Sequence, residues 1–299
     1  MEDGDMDELA GGLLKALDLR VLVVSCTGAA RTIATKHRAA PAAAGVLGQG
    51  VAAGLLLAGL SKSESRLNLQ LECDGPLRGM FVDADTDGNV RGYVKNPAVQ
   101  VQVASREFRF RPALGNSGFL SVLRDLGNGE YYRSSVDLQA LELGADVERY
   151  LEQSDQVESV LRLEVQEGEG QVLGRVAGLL LQPLPAGDRS ALARFRESLG
   201  PGEGFARAVA DNGEAGAQGL LRRLFPGEDL ELTARYPVQF RCRCNRERVL
   251  NALAALGKAD LQSLMAEQGQ ASVTCDFCAT DYTVDMAGLE ALVSRLADS

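Results

Sequence analysis

Hydrophobic and polar positions alternate over much of the first two thirds of the chain. From Arg66 to Cys73, Leu67, Leu69 and Leu71 fall on one side and Asn68, Gln70 and Glu72 on the other, the pattern of a half-buried strand. An apolar run over Leu19–Ser25 predicts another strand, followed by a helix through Ala30–Arg38. Gly75-Pro76 turns the chain, Gly79–Asp83 and Val90–Lys95 read as paired strands around Asp87-Gly88-Asn89, and Asn96-Pro97 closes that unit. Further strands are expected over Phe119–Asp125, Tyr131–Val136, Leu161–Gln166 and Val172–Leu181, with a helix over Asp146–Gln153. Many strands joined by short turns, with helices grouped rather than alternating, predict an α+β fold with a largely antiparallel sheet.

One stretch breaks the alternation. Ala39 to Leu60 carries no charge over twenty-two residues, long enough to span a bilayer. Its Ala and Gly content, with Pro41 and Gln49 inside, gives a weak drive to insert. A buried helix is expected instead, with Gly45, Gly48, Gly50 and Gly54 letting other elements come close. These glycines form no phosphate loop, since neither Gly-Lys-Ser/Thr nor G-x-G-x-x-G accompanies them.

After Pro183-Leu184-Pro185 large apolar side chains become sparse and glycines frequent. Helices over Ala191–Leu199 and Gln218–Leu224 have little to bury and would be marginally stable. Residues 187–236 therefore read as a helical linker between an N-terminal domain, 1–186, and a small C-terminal domain, 237–299. In the latter, Arg246–Ala255 and Ala259–Glu267 predict short helices. Leu289, Leu292, Val293 and Leu296 mark the single apolar stripe of a last one.

Composition narrows the function classes. A net charge of −10 argues against a general nucleic-acid binder, because phosphate backbones reward excess Lys and Arg. The acidic N-terminus lacks a secretory pattern, so a reducing cytoplasm is expected. His37 is the one histidine, and no serine or cysteine nucleophile has a recognisable partner, so no enzyme is expected.

The chemistry lies in the cysteines. Cys26 and Cys73 stand alone in strand-like runs and read as buried small hydrophobes. Cys242-x-Cys244 and Cys275-x-x-Cys278 are two close pairs separated by thirty residues, the arrangement a tetrahedral thiolate site needs. Zinc suits four thiolates; an iron–sulfur cluster fits the C-x-C spacing less well. A closed structural zinc site and a thiol switch are both compatible with the pattern. Arg241, Arg243, Arg246 and Arg248 around the first pair favour thiolate, the reactive form. A zinc-ribbon nucleic-acid module and a thiol oxidoreductase built on Cys275 and Cys278 are the alternatives. The acidic charge weighs against the first, and the absence of a βαβ context weighs against the second.

Phe240-Arg241-Cys242-Arg243-Cys244-Asn245-Arg246-Glu247-Arg248-Val249 and Val273-Thr274-Cys275-Asp276-Phe277-Cys278 resemble the thirty-three-kilodalton, redox-regulated heat-shock chaperones of bacteria. Gly75-Pro76-Leu77, Val90-Arg91-Gly92-Tyr93-Val94 with Asn96-Pro97, and Gln153-Ser154-Asp155-Gln156-Val157 extend the resemblance over almost the whole chain. Asn245 departs from the family's usual serine. The resemblance implies an ATP-independent holdase, inactive while Cys242, Cys244, Cys275 and Cys278 hold one zinc ion per chain. Oxidants would join Cys242 to Cys244 and Cys275 to Cys278, with loss of zinc, unfolding of residues 237–299 and loosening of the linker. Implied partners are unfolded or oxidatively damaged client proteins, with client binding and dimerisation in residues 1–186. The active form is expected to be a homodimer, with no nucleic-acid or membrane partner. The C-x-C ring would be very small, so its disulfide should be strained and readily reduced.

Overall fold

The uncharged Ala/Gly run is the helix about which the first part of the protein is built. The computed structural model describes residues 7–61, 65–101, 110–125, 129–185, 187–200 and 204–297. The chain divides into two units at Arg241/Cys242. The first contains β1 (Glu8–Leu14), a 3-10 turn (Lys15–Leu17), β2 (Leu19–Ser25), α1 (Thr27–Lys36), α2 (Pro41–Ala58), β3 (Arg66–Cys73), β4 (Gly79–Asp85) and β5 (Asn89–Val94). There follow α3 (Arg111–Leu114), β6 (Gly118–Asp125), β7 (Tyr131–Asp137), α4 (Leu143–Ser154), β8 (Val160–Val165) and β9 (Val176–Pro183). Then come α5 (Arg189–Ser198), α6 (Gly204–Asp211), α7 (Gly216–Leu224), β10 (Leu230–Pro237) and β11 (Gln239–Phe240).

Two sheets hold these strands, in the orders β10-β1-β2-β9-β8 and β11-β5-β4-β3-β6-β7. Every pairing is antiparallel except that of β11 with β5. Helix α2 packs against strands of both sheets. It is long and apolar enough to cross a membrane, yet 89% of it is buried inside the fold. Gly50 and Gly54, one turn apart, let β4 come close: a Cβ at Gly50 would sit 2.3 Å from Met80 Sδ, and one at Gly54 would sit 2.9 Å from Val82 Cγ1. The close approach expected from the glycines is thus the packing of a helix on a sheet.

Strands β1, β2 and β9 of the five-stranded sheet are buried on both faces. Along β2, Leu22 and Val24 join the core around α2, whereas Leu19, Val21 and Val23 point the other way; β9 likewise divides Leu180 from Leu179 and Leu181. The second face is covered by Leu192 of α5, Phe205 and Val209 of α6, Leu220 and Leu221 of α7, and Phe225. Large apolar side chains are sparse in residues 187–236, but most of those present converge on this one face.

Polar groups fasten the same segment. Glu8 of β1, 3% exposed, accepts a hydrogen bond from the Gln218 N–H in the first turn of α7 at 2.9 Å and from Arg235 Nε of β10 at 2.6 Å. Glu148 of α4 accepts from Arg162 Nη1 of β8 at 2.7 Å and Arg196 Nη1 of α5 at 2.6 Å. Arg162 Nε in turn donates to the Leu199 carbonyl at 2.8 Å, at the end of α5.

Some boundaries differ from those expected. Helix α1 begins three residues early because the Asp7 carboxylate accepts from the N–H groups of Gly28 at 3.0 Å and Ala29 at 2.5 Å. Strand β9 begins only at Val176. The segment before it bends away through Gly174, and the carbonyl of Leu173 is taken by Arg31 Nε at 2.9 Å instead of a neighbouring strand. Strands β1 and β10 and helix α6 were not expected. Gly11 and Gly12 hide the strand character of β1, and β10 is a largely exposed edge strand.

The second unit contains α8 (Arg246–Ala254), α9 (Lys258–Gln268), β12 (Ala271–Thr274), β13 (Asp281–Val284) and α10 (Met286–Ala297). Its core is small: Val249, Leu253, Leu261, Ala271, Val284, Leu289 and Leu292.

Candidate metal centre

Cys275 and Cys278 sit in the turn of the β12–β13 hairpin. The Ala279 N–H donates to the Cys275 carbonyl at 2.8 Å and the Cys275 N–H to the Thr280 carbonyl at 2.9 Å. The hairpin register pairs Thr274 with Asp281 and Val273 with Tyr282. Ala279 adopts φ 53°, the left-handed conformation that reverses the chain behind the two sulfurs. Cys242 and Cys244 lie just before α8, whose start is set by Asn245: its side chain accepts from the Arg248 N–H at 2.8 Å. The asparagine is itself a strong N-cap, so this departure from the expected serine preserves the local structure.

The hairpin turn and the entry to α8 bring all four sulfurs within 4.8 Å of one another. Cys242 Sγ lies 3.7 Å from Cys275 Sγ, and Cys244 Sγ lies 3.3 Å from Cys278 Sγ. A tetrahedral ion with metal–sulfur bonds of about 2.3 Å places its ligands about 3.8 Å apart, so this cluster has the size such an ion requires. Four cysteines could therefore hold a metal ion here. Cys278 is 5% exposed and the other three are half-buried.

Protons are distributed unevenly among the sulfurs. Burial, reinforced by hydrogen bonding with Cys278 and Cys242, pushes the Cys275 thiol up to about 12. Burial also acts to raise Cys278, but hydrogen bonding with Thr280, Cys244 and Cys275 outweighs it and brings that thiol down to about 7. Burial raises the Cys244 thiol, against a hydrogen bond from Tyr282. That bond, from the Tyr282 hydroxyl to Cys244 Sγ at 3.1 Å, pushes the phenol up to about 12. The shifts of Cys244, Cys275 and Cys278 trace to burial and hydrogen bonding, and the Arg246 guanidinium donates to the Thr283 carbonyl at 3.0 Å.

Cys26 is fully buried in the core of the first unit, and burial holds its thiol well above the usual range. Cys73 is half-buried at the end of β3, its thiol also raised by burial. Sequence reasoning did not single out Tyr282 or Thr280 as sulfur partners. A hairpin carrying hydroxyl residues two and four positions past its second cysteine was the available signal.

The family described as Hsp33 protein matches residues 7–285. The chain is 35% identical over 285 residues to the 33 kDa chaperonin of Geobacter sulfurreducens, covering 94% of this chain and 92% of that one. It is 39% identical over 268 residues to the 33 kDa chaperonin of Gloeobacter violaceus, covering 87% of each. The crystal structure of the 33 kDa chaperonin (heat shock protein 33 homolog) from Thermotoga maritima superposes with a TM-score of 0.86 at 24% identity. That match covers 98% of this chain and 100% of the other, and it establishes the shared fold. The α+β core of two sheets is the fold shared with that structure, and the family and relatives matched over nearly the whole chain are those of a heat-shock chaperone. The chain belongs to the Hsp33 protein family.

Proposed function

We propose that the protein is a redox-switched, ATP-independent holdase of the bacterial cytoplasm. The observation that carries this reading is the cluster of four sulfurs within 4.8 Å, supplied by a unit with a small core of its own. Cys242, Cys244, Cys275 and Cys278 hold one zinc ion in the reduced protein. When bound, zinc supplies a structural cross-link between the C-x-C segment and the hairpin, roughly 10–16 kcal/mol apparent in small peptide sites. Residues 237–299 are the switch, 187–236 the segment it controls, and 1–186 the part that engages unfolded or oxidatively damaged clients and forms the active homodimer.

Oxidation joins Cys242 to Cys244 and Cys275 to Cys278. Disulfide sulfurs cannot serve as thiolate ligands, so the cross-link is lost and the small unit unfolds. Residues 187–236 precede Cys242, the first cysteine of the cluster, and their helices cover the Leu19, Val21, Val23, Leu179 and Leu181 face of the five-stranded sheet. Releasing them uncovers a contiguous apolar face, the surface we assign to clients. Strand β10, an edge strand with exposed side chains, is the element best suited to detach.

The test is light scattering from a heat-denaturing client, with the protein added either reduced and zinc-loaded or after hypochlorite treatment. Suppression by the oxidised form alone is expected. Equal suppression by both forms would leave zinc a merely structural role, and no suppression by either would reject the holdase.

A further inference from the structure

Two hydroxyl groups reach the sulfurs. The Tyr282 hydroxyl donates to Cys244 Sγ at 3.1 Å, and Thr280 Oγ1 lies 3.2 Å from Cys278 Sγ. Thr280 stands two residues past the cysteine it touches. Tyr282 reaches instead across to a sulfur on the other segment, thirty-eight residues earlier in the chain. Its place follows from register: it pairs with Val273 within the β12–β13 ladder, so the strands set the phenol beside Cys244. Carrying Cys275 and Cys278 requires no such group.

We propose that Tyr282 is a positioning residue for the redox switch, whose hydrogen bond to Cys244 Sγ slows oxidation of that sulfur. This rests on the redox reading of the four cysteines. The step concerned is attack of the Cys244 sulfur lone pair on the chlorine of hypochlorous acid, forming a sulfur–chlorine bond and breaking the oxygen–chlorine bond with release of hydroxide. A second cysteine thiolate then displaces chloride and closes the disulfide, so two electrons pass from the two sulfurs to chlorine. A charged sulfur is a strong hydrogen-bond acceptor and the chlorinated sulfur a poor one. The bond from Tyr282 therefore stabilises the reactant more than the product and raises the barrier between them. It also withdraws electron density from the atom that must donate it, as outer-shell hydrogen bonds do at metal-binding sulfurs.

The experiment compares full-length, zinc-loaded wild type, Tyr282→Phe, and protein carrying 3-fluorotyrosine at position 282, a stronger donor. Zinc stoichiometry is checked first. Thiols are then trapped at intervals under limiting hypochlorous acid at neutral pH and located by mass spectrometry. Cys244 is expected to oxidise about five-fold faster in Tyr282→Phe, the size of effect one hydrogen bond supplies, and more slowly than wild type with 3-fluorotyrosine. Each protein is also loaded with cobalt(II), whose sulfur-to-metal charge-transfer band reads sulfur electron density without any oxidation. That band should move to lower energy in Tyr282→Phe and to higher energy with the fluorinated ring.

Equal oxidation rates across the three proteins would overturn the proposal. So would a faster Tyr282→Phe with an unmoved cobalt band, because the cause would then be loosened packing. If wild-type thiols survive the oxidant altogether, the redox reading itself fails and this proposal with it, whatever the cobalt band does.

Discussion

Asn245 and Ala279 each settle the course of the backbone beside a sulfur, one by capping α8 and the other by taking a left-handed conformation. The consequences of changing a sulfur are larger. Cys244→Ser should weaken zinc binding by more than the roughly 10- to 100-fold that outer-shell losses cost, measured by competition with a chromogenic chelator. Tight one-to-one binding by that variant would remove Cys244 from the ligand set. Glu8 is the residue-scale surprise in the first unit. Glu8→Ala deprives the Gln218 N–H and Arg235 of a buried partner, at a cost of about 1–3 kcal/mol. Limited proteolysis should then cut residues 204–237 sooner while the β2–β9 core remains resistant; unchanged cleavage would deny Glu8 a part in holding the segment.

Helix α2 and helices α5 to α7 lie on opposite sides of the same sheet, whose edge strand β10 follows them in the chain, and they differ in what surrounds them. Helix α2 is enclosed between sheets, and its fit to β4 depends on two missing side chains. Gly50→Leu must displace Met80, and overpacking of this kind costs about 1–3 kcal/mol or more. A lowered urea midpoint with an unchanged m-value is the expected result, and an unaltered midpoint would mean the interface can yield. The α5–β10 segment instead has one covered face and one open one, fastened by Leu192, Phe205, Leu220 and Leu221 together with the Glu8 and Glu148 clusters. Its expected stability is therefore lower than that of α2, which amide exchange would order directly.

At the scale of the whole molecule the two units should respond differently to loss of metal. Chelation of zinc from the reduced protein is expected to abolish exchange protection in residues 246–297 while amides of β2, β3 and β9 stay protected. Retained protection in α8 and α10 would show that the Val249, Leu253, Leu289 and Leu292 core suffices by itself.

Much of this was legible in the chain. The strict alternation of Arg66–Cys73 and the uncharged run of α2 each permit one burial pattern, and both elements appear as their residues dictate. Two close cysteine pairs determined that a four-sulfur site would form if the segments met, because each pair already holds two ligands in one short stretch. Local pattern did not reveal β1, since a Gly-containing strand buried on both faces has no alternation to read. Nor did it reveal that most of the sparse apolar residues between 187 and 236 share one face, because their coherence exists only against the sheet they cover. The pairing of Glu8 with Arg235 and the reach of Tyr282 to Cys244 span 227 and 38 residues. Contacts at such separations are decided by tertiary structure alone: no local propensity encodes them, and they form only when sheet register and hairpin register bring the two ends together.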